Sequence, residues 1–398
     1  MDVTFRNNIV KSFLKGINLP FTLVLPSGIK YGSSTEAIVI FKTWKSVFET
    51  LVDTEMGFCE NYAKGEIEVE GNLEKVIEFG ISFKRRKTIK DLYIKLIDIL
   101  YGLNPANKQK DSENIKYHYD IDDDFYKEWL DESMTYSCAF FESNKVSLEE
   151  AQRKKREIIY EKLKLKEGDR LLDIGCGWGS IIIESAEKFG VKSVGITLSE
   201  NQYKFIKDRI REKGLEGKVE VYLMHYKDLP SLGRRFNKIV SVGMFEHVGK
   251  NNINIFFNRV KSVSEEGALF LLHTIGKPFE SSQSRWIRRR IFPGGYIPGL
   301  NEILKSMVNT GFNLIDIDNW RLHYYLTLRE WHRRFNEKRE IFERKYGTFF
   351  VRMWNLYLVS AGVSFLVGSN HLFQILMSKG VNNHYPVILR KYGNTLNP

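Results

Sequence analysis

Between residues 170 and 276 the chain alternates short apolar runs with stretches of helical period. Leu171 and Leu172 lead into Asp173 and then Gly175, Gly177 and Gly179, after which apolar residues recur at helical spacing. Further apolar runs follow at 191–198, 218–223, 236–242 and 268–272. Short apolar runs bounded by turn residues read as buried strands, and strands alternating with helical segments predict a mostly parallel sheet covered by helices. The expected fold of this part is α/β and Rossmann-like, its first unit being the strand, glycine turn, helix and second strand of 170–202. The glycines let the backbone approach a ligand and enter a helix without Cβ clashes.

Residues 1–105 follow another pattern. Runs at 21–25 and 37–41 read as strands, with a turn at Pro26-Ser27-Gly28 between them. Residues 44–51 and 92–103 have helical spacing, 60–65 reads as a turn, and 67–70 alternates like an edge strand. This predicts a small α+β N-terminal domain. The polar stretch 106–116 reads as a linker to a catalytic domain at 117–398. That domain opens with a cap, 117–165, dense in aromatic residues up to Phe141 and ending in a charged helix at 149–163. The cap either packs an aromatic face on the sheet or closes over a cofactor and an apolar substrate. Residues 353–378 carry no charge, but include polar residues and a break near 368–370. A bilayer span needs about 20 predominantly apolar residues, and two buried helices are expected here instead.

Composition narrows the class. With 43% apolar and 13% aromatic residues, the 398-residue chain holds sizeable cores. Residues 1–18 lack the apolar centre of a secretory signal. Cys59, Cys138 and Cys176 form neither a metal-type spacing nor a disulfide ladder, so a cytoplasmic protein without a metal site is expected. The net charge is +11, and residues 276–398 hold 18 lysines and arginines against 8 acidic residues. Such a surface attracts nucleic acid or lipid headgroups, or is a solvated face without a partner; no nucleic-acid motif accompanies it. Within a basic insertion at 277–330, arginines interleave with apolar residues from Arg285 to Tyr296, a composition suited to the water–lipid boundary. The run Lys84-Arg85-Arg86-Lys87 reads as a solvated loop within reach of anionic lipid.

Asp173 precedes the glycine turn as in the D-x-G-x-G-x-G signature of S-adenosylmethionine (SAM) methyltransferases. A dinucleotide site would place an acid after the second strand; here Thr197, Leu198 and Ser199 stand there, with Asn201 and Gln202 beyond. Glu246 and His273 fall just past the carboxyl ends of the fourth and fifth strands, where α/β sheets bind ligands.

Five segments, YHYDIDDDFY, MTYSCAFF, LLDIGCGWGS, GITLSENQ and VSVGMFEHVG followed by LFLLHTIG, occur in this order. Together they resemble the cyclopropane-fatty-acyl-phospholipid synthase family, which includes the mycolic acid cyclopropane synthases. The resemblance implies a class I SAM-dependent methyltransferase fold and methylene transfer from SAM to a cis double bond of a phospholipid acyl chain. It also implies a bicarbonate ion as base, held by Cys138, Glu246, His273, the backbone at Ile275, and Tyr324, which stands three residues before Thr327 as in the family's Tyr-x-x-Thr-Leu pattern. Cofactor contacts implied are Tyr136 and Ser137 from the cap, Gly175, Gly177 and Gly179 from the turn, and Thr197, Ser199 and Gln202 from the second strand end. Tyr226 would lie near the adenine, and Asp173 would order the glycine turn or a water near the methionine amine. Peripheral attachment to the inner face of the plasma membrane and a homodimer follow by the same analogy. Asp123 stands where the family has Asn, His323 where it often has an acid, and no cysteine occurs near 360–361. The alternative is the same scaffold stopping at methyl transfer, without ring closure.

Overall fold

The computed structural model describes residues 2–84 and 123–383. The helix expected at 92–103, the linker at 106–116 and the first residues of the YHYD segment lie outside them, as does most of the basic run 84–87. The N-terminal unit contains helix α1 (Val3–Leu14), strands β1 (Thr22–Val24), β2 (Lys30–Tyr31) and β3 (Ala37–Phe41), helices α2 (Trp44–Val52) and α3 (Thr54–Lys64), strand β4 (Ile67–Gly71) and helix α4 (Leu73–Lys84). Its sheet runs β2-β1-β3-β4, so β4 is the edge strand its alternation predicts. Residues 60–65, expected as a turn, form the last turn of α3, which Gly65 ends in the left-handed conformation at φ 78°. The polar look of this stretch has an internal cause. Buried Asn61 donates from Nδ2 to the Gly57 carbonyl and to Glu49, both at 2.8 Å. Gly57 lets α2 and α3 touch, because a Cβ there would lie 2.3 Å from the Glu49 carbonyl oxygen.

The second unit begins with α5 (Asp123–Lys127) and α6 (Leu148–Leu163). The alternating part follows: β5 (Arg170–Ile174), α7 (Ser180–Phe189), β6 (Lys192–Thr197), α8 (Glu200–Glu212), β7 (Val219–Leu223), β8 (Phe236–Val242), α9 (Ile253–Val263) and β9 (Ser264–Gly276). Next come α10 (Arg285–Arg290), α11 (Leu300–Asn309), β10 (Phe312–Asn319), α12 (Arg321–Glu337), α13 (Arg339–Tyr346), α14 (Thr348–Leu366) and β11 (His371–Lys379). All five strands expected between 170 and 276 are present. The sheet order is β10-β11-β9-β8-β5-β6-β7. Strands β5 to β9 are parallel, and β11 is antiparallel to both of its neighbours.

Two expectations change here. Of the two helices expected in the uncharged stretch, the first is α14 but the second is β11. Seven consecutive residues of β11, Leu372 to Ser378, are buried. A strand covered on both faces loses its alternation and cannot be told from a buried helix by period alone. Helix α14 is long and apolar enough to cross a bilayer, yet it packs against α12 and the N-terminal unit, with Val351 to Val359 buried. The segment expected as a basic insertion contains α11 and the edge strand β10, so much of it belongs to the sheet layer.

The arginines of this region hold the two units together. Arg285 donates from one guanidinium nitrogen to both oxygens of Asp53 at 2.7 and 2.6 Å, and Arg290 forks onto Glu60 at 2.7 and 2.6 Å. Arg352 of α14 donates to the Tyr62 carbonyl (2.6 Å), the Ile67 carbonyl (2.8 Å) and Glu68 (2.9 Å), with its guanidinium 4.4 Å from the Tyr62 ring centre. Two of these acceptors are backbone carbonyls of the N-terminal unit, and that of Tyr62 also accepts from the Gly65 amide at 3.0 Å. Arg352→Met should therefore cost about 2–4 kcal/mol of stability, read as a lower denaturation midpoint. Arg352→Lys should recover only part, since an ammonium cannot fork onto three acceptors. A midpoint unchanged by Arg352→Met would remove the arginine from the junction.

Candidate active site

A cleft opens at the carboxyl ends of β5, β6 and β8, under the cap. Its floor is the glycine turn. Gly175 has φ 85°, and a Cβ there would lie 2.6 Å from the Met244 side chain. The amides of Gly175 and Cys176 both donate to the Ile196 carbonyl at 3.0 Å, folding the turn back over β6. Tyr136, Ser137, Asp173, Gly175 and Gly177 line the cleft, as do Thr197, Gln202 and Tyr226. At the end of β6, Thr197 Oγ1 donates to Gln202 Oε1 (2.6 Å) and accepts from the Ser199 amide (3.2 Å).

Two residues expected at the cofactor are placed behind it. Gly179 starts α7 at φ 81°, and a Cβ there would lie 2.9 Å from Ile206. Ser199 caps α8 by accepting from the Gln202 amide at 3.3 Å. Neither lines the cleft. Their part is to shape the two turns that do.

Asp173 is buried, and its Oδ1 has no hydrogen-bond partner. Burial pushes its carboxyl up to about 7, opposed by the charge of Lys155. An unpaired carboxylate oxygen on the wall of a glycine-floored cleft suits a ligand that brings its own cation, as SAM does with its amino group.

Lys155 was not singled out from sequence. It sits on α6, expected simply as a charged helix, but Leu148, Gln152, Lys155, Ile159 and Leu163 form one buried row. That three-and-four spacing was the available signal. Its Nζ donates to Ser137 Oγ at 2.9 Å, and burial lowers its pKa to about 7. Met134, Trp178, Met244 and His247 also line the cleft and were not anticipated. Met134 holds φ 56°, a conformation an L-residue adopts only under constraint.

Beyond the cleft lie the residues expected to hold a base. Glu246 sits in a one-turn helix after β8, and its Oε1 accepts from the Ile275 amide at 2.6 Å. Its Oε2 is buried without a partner, and burial raises the carboxyl to about 7. His273 is buried in β9, with Nδ1 3.4 Å from Gln374 Nε2 of β11. Its Nε2 has no partner, and burial holds its pKa well below the ordinary value, so the ring is neutral. The Cys138 thiol is fully buried and its pKa is pushed upward by desolvation. Tyr324 is on α12, its ring 4.5 Å from Phe365 and 6.1 Å from Trp331.

The structure joins these residues in two groups. Glu246, His273 and Ile275 meet at the ends of β8 and β9. The segment after Cys138 is tied to the Tyr324 helix: the Ala139 amide donates to Thr327 Oγ1 (3.0 Å) and the Phe141 amide to His323 Nδ1 (3.2 Å). Trp320 bridges the groups, its ring 5.3 Å from His273, 4.8 Å from Phe140 and 5.9 Å from His323. The position where the family often has an acid thus carries a half-buried imidazole, its pKa lowered to about 4 by desolvation, that accepts a backbone hydrogen bond. Around Tyr136 stand Tyr126, Trp129 and Trp331 at 5.4, 5.5 and 5.1 Å, and its hydroxyl meets that of Tyr357 at 2.8 Å.

A parallel sheet with one reversed strand and a glycine-turn cleft at its carboxyl end is that of a SAM-dependent methyltransferase. Coclaurine N-methyltransferase has the same fold at 17% identity (TM-score 0.65), covering 81% of this chain and 99% of that one. The mycolic acid cyclopropane synthetase signature matches residues 106–375, and the chain belongs to that family. It is 34% identical to cyclopropane-fatty-acyl-phospholipid synthase of Escherichia coli K12, over 91% of this chain and 93% of that one. It is 32% identical to a "probable fatty acid methyltransferase" of Pseudomonas putida, over 92% and 93%. A cyclopropane synthase of Mycobacterium tuberculosis superposes with TM-score 0.64 at 30% identity, over 67% of this chain and 98% of that one.

The buried Glu246 carboxyl has a consequence for stability. With its pKa raised from 4.5 to about 7, the folded state holds more protons than the unfolded one between those values. Stability therefore falls as pH rises through that window and levels off above it. Glu246→Gln removes this term. Its stability relative to the parent should rise by up to about 3 kcal/mol from pH 4.5 to 8, measured by denaturant titration at each pH. A constant difference would contradict the raised pKa.

Proposed function

We propose that this enzyme transfers a methylene group from SAM to a cis double bond of an unsaturated phospholipid acyl chain, forming a cyclopropane ring. The observation that carries this reading is one continuous segment. Val242, Gly243, Met244 and His247 line the cofactor cleft, while Glu246 within the same turn faces Ile275 and the end of β9. Methyl donor and proton acceptor thus have adjoining places on one turn.

SAM supplies a sulfonium-activated methyl group. The alkene π pair would form a bond to that carbon as the carbon–sulfur bond breaks, its electron pair staying on sulfur in the departing S-adenosylhomocysteine, and the opposite alkene carbon would be left cationic. The aromatic rings around Tyr136 present π faces to such a cation and supply no good nucleophile. The dry surroundings keep water from trapping it as an alcohol. A base then takes a proton from the new methyl, and the released pair closes the ring. Bicarbonate fits the base site for a chemical reason. Glu246 Oε2 and His273 Nε2 are both buried and unpaired, and a carboxyl near pKa 7 can accept a hydrogen bond from, or share a proton with, the ion. Tyr324 adds an O–H donor, whereas the Cys138 S–H donates to the Ala139 carbonyl at 3.2 Å.

Attachment to a membrane surface at the cytoplasmic face belongs to this proposal. Within α10, Arg289 is exposed, whereas Arg285 and Arg290 are engaged with Asp53 and Glu60. Exposed Phe279 neighbours this helix, and exposed Val3, Phe5 and Phe13 lie on α1.

A second reading, methyl transfer without ring closure, has a specific support: relatives of similar identity carry methyltransferase names, among them a sphingolipid C9-methyltransferase of Komagataella phaffii, 30% identical over 82% of this chain and 70% of that one. Incubation with SAM and vesicles of unsaturated phospholipid, followed by mass spectrometry of the acyl chains, separates the two. A gain of CH₂ with loss of the double bond is expected; a gain with unsaturation kept establishes the second reading. Glu246→Gln and His273→Ala should each lower turnover by about 100-fold or more while SAM still binds. Normal turnover in either would remove the base site. Arg289→Gln should weaken vesicle binding modestly, about 1 kcal/mol for one cation near anionic lipid, and raised salt should erase the difference.

A further inference from the structure

Among the buried titratable groups that the mechanism leaves unused, Lys155 alone both lines the cofactor cleft and is almost fully buried among the described residues. A lysine is almost never fully buried unless paired, and this one is 1% exposed. It lines the cofactor cleft together with Ser137 and Asp173. Its Nζ donates to Ser137 Oγ at 2.9 Å. The Ser137 oxygen is then an acceptor, so its own proton is left to donate elsewhere, and no described residue takes it. Asp173 Oδ1 is likewise without a donor. Lys155 and Asp173 feel one another's charge, with Asp131 and Arg156 also acting on the lysine. The cleft therefore contains a spare hydroxyl donor backed by a cation, and an unpaired carboxylate oxygen.

These groups have the complement of a zwitterionic α-amino acid. We propose that Lys155, acting through the Ser137 hydroxyl, positions the carboxylate of the cofactor's methionine moiety, while Asp173 takes its ammonium. Burial weakens both charges in the protein alone, and a ligand carrying both opposite charges restores them together. Lys155 is thus a positioning residue, acting on the cofactor through Ser137 and not on the reacting methyl itself; its charge is also felt at Cys138 and His273. The inference rests on SAM being the ligand of this cleft.

The test compares SAM with decarboxylated SAM, which lacks only the carboxylate, by calorimetric titration of the full chain. The parent should bind SAM about 10- to 100-fold more tightly than the decarboxylated compound. Lys155→Met should weaken SAM by a similar factor and leave the decarboxylated compound within about twofold. Ser137→Ala should show the same selectivity at smaller size, and it serves if Lys155→Met does not fold. Equal loss for both ligands would make Lys155 a structural partner of Asp173 and overturn the inference, as would a parent that does not discriminate. A folded parent that binds neither ligand would instead overturn the cofactor reading.

Discussion

Desolvation governs this molecule. Asp173, Lys155, Glu246 and His273 sit where water cannot solvate them, and burial is the largest cause of each one's shifted pKa, with neighbouring cations adding to it at Lys155 and His273. A surface that only needed to fold would not keep four such groups dry, because each costs free energy until something pairs with it. Three expose an unpaired atom, and the fourth backs the hydroxyl of Ser137. Dryness is also what the proposed reaction requires, since its cation survives only away from water.

The sheet makes that dryness possible. Strand β11 enters antiparallel between β9 and β10, placing Gln374 opposite His273 and Leu372 opposite Ile275. Trp320, at the start of α12, then closes over the imidazole. On the other side the cap is pinned by side chains of α12, Thr327 and His323, that accept its amides. The donor cleft and the base site are thus walled by the same few strand ends, with the aromatic cap between them and solvent.

Charge has a different use from the one its distribution suggests. The excess of lysine and arginine after residue 276 reads as a surface for anions, yet Arg285, Arg290 and Arg352 are spent on carboxylates and carbonyls of the N-terminal unit. Counting charges along a chain says nothing of how many are neutralised by partners more than two hundred residues away. The same blindness explains Lys155. It counts as one more cation in a charged helix, until the three-and-four row of Leu148, Ile159 and Leu163 shows which way it faces.

Local pattern was enough for the five strands between 170 and 276, the glycine turn, the end of β8 and the family motifs, because these depend on period, turn geometry and short spacing; β9 runs on past the expected end at 272 to Gly276, so His273 lies within the strand. The sequence by itself therefore determined the α/β sheet, the cofactor class and the candidacy of Glu246 and His273. Tertiary structure alone decided that 371–379 is a strand, since burial on both faces erases the alternation that marks one. It decided that Gly179 and Ser199 shape the cleft from behind rather than line it, since contact depends on distance in space. It also decided which cations are free, which are buried and which are paired, because solvation and pairing are properties of the folded surroundings and not of the residue.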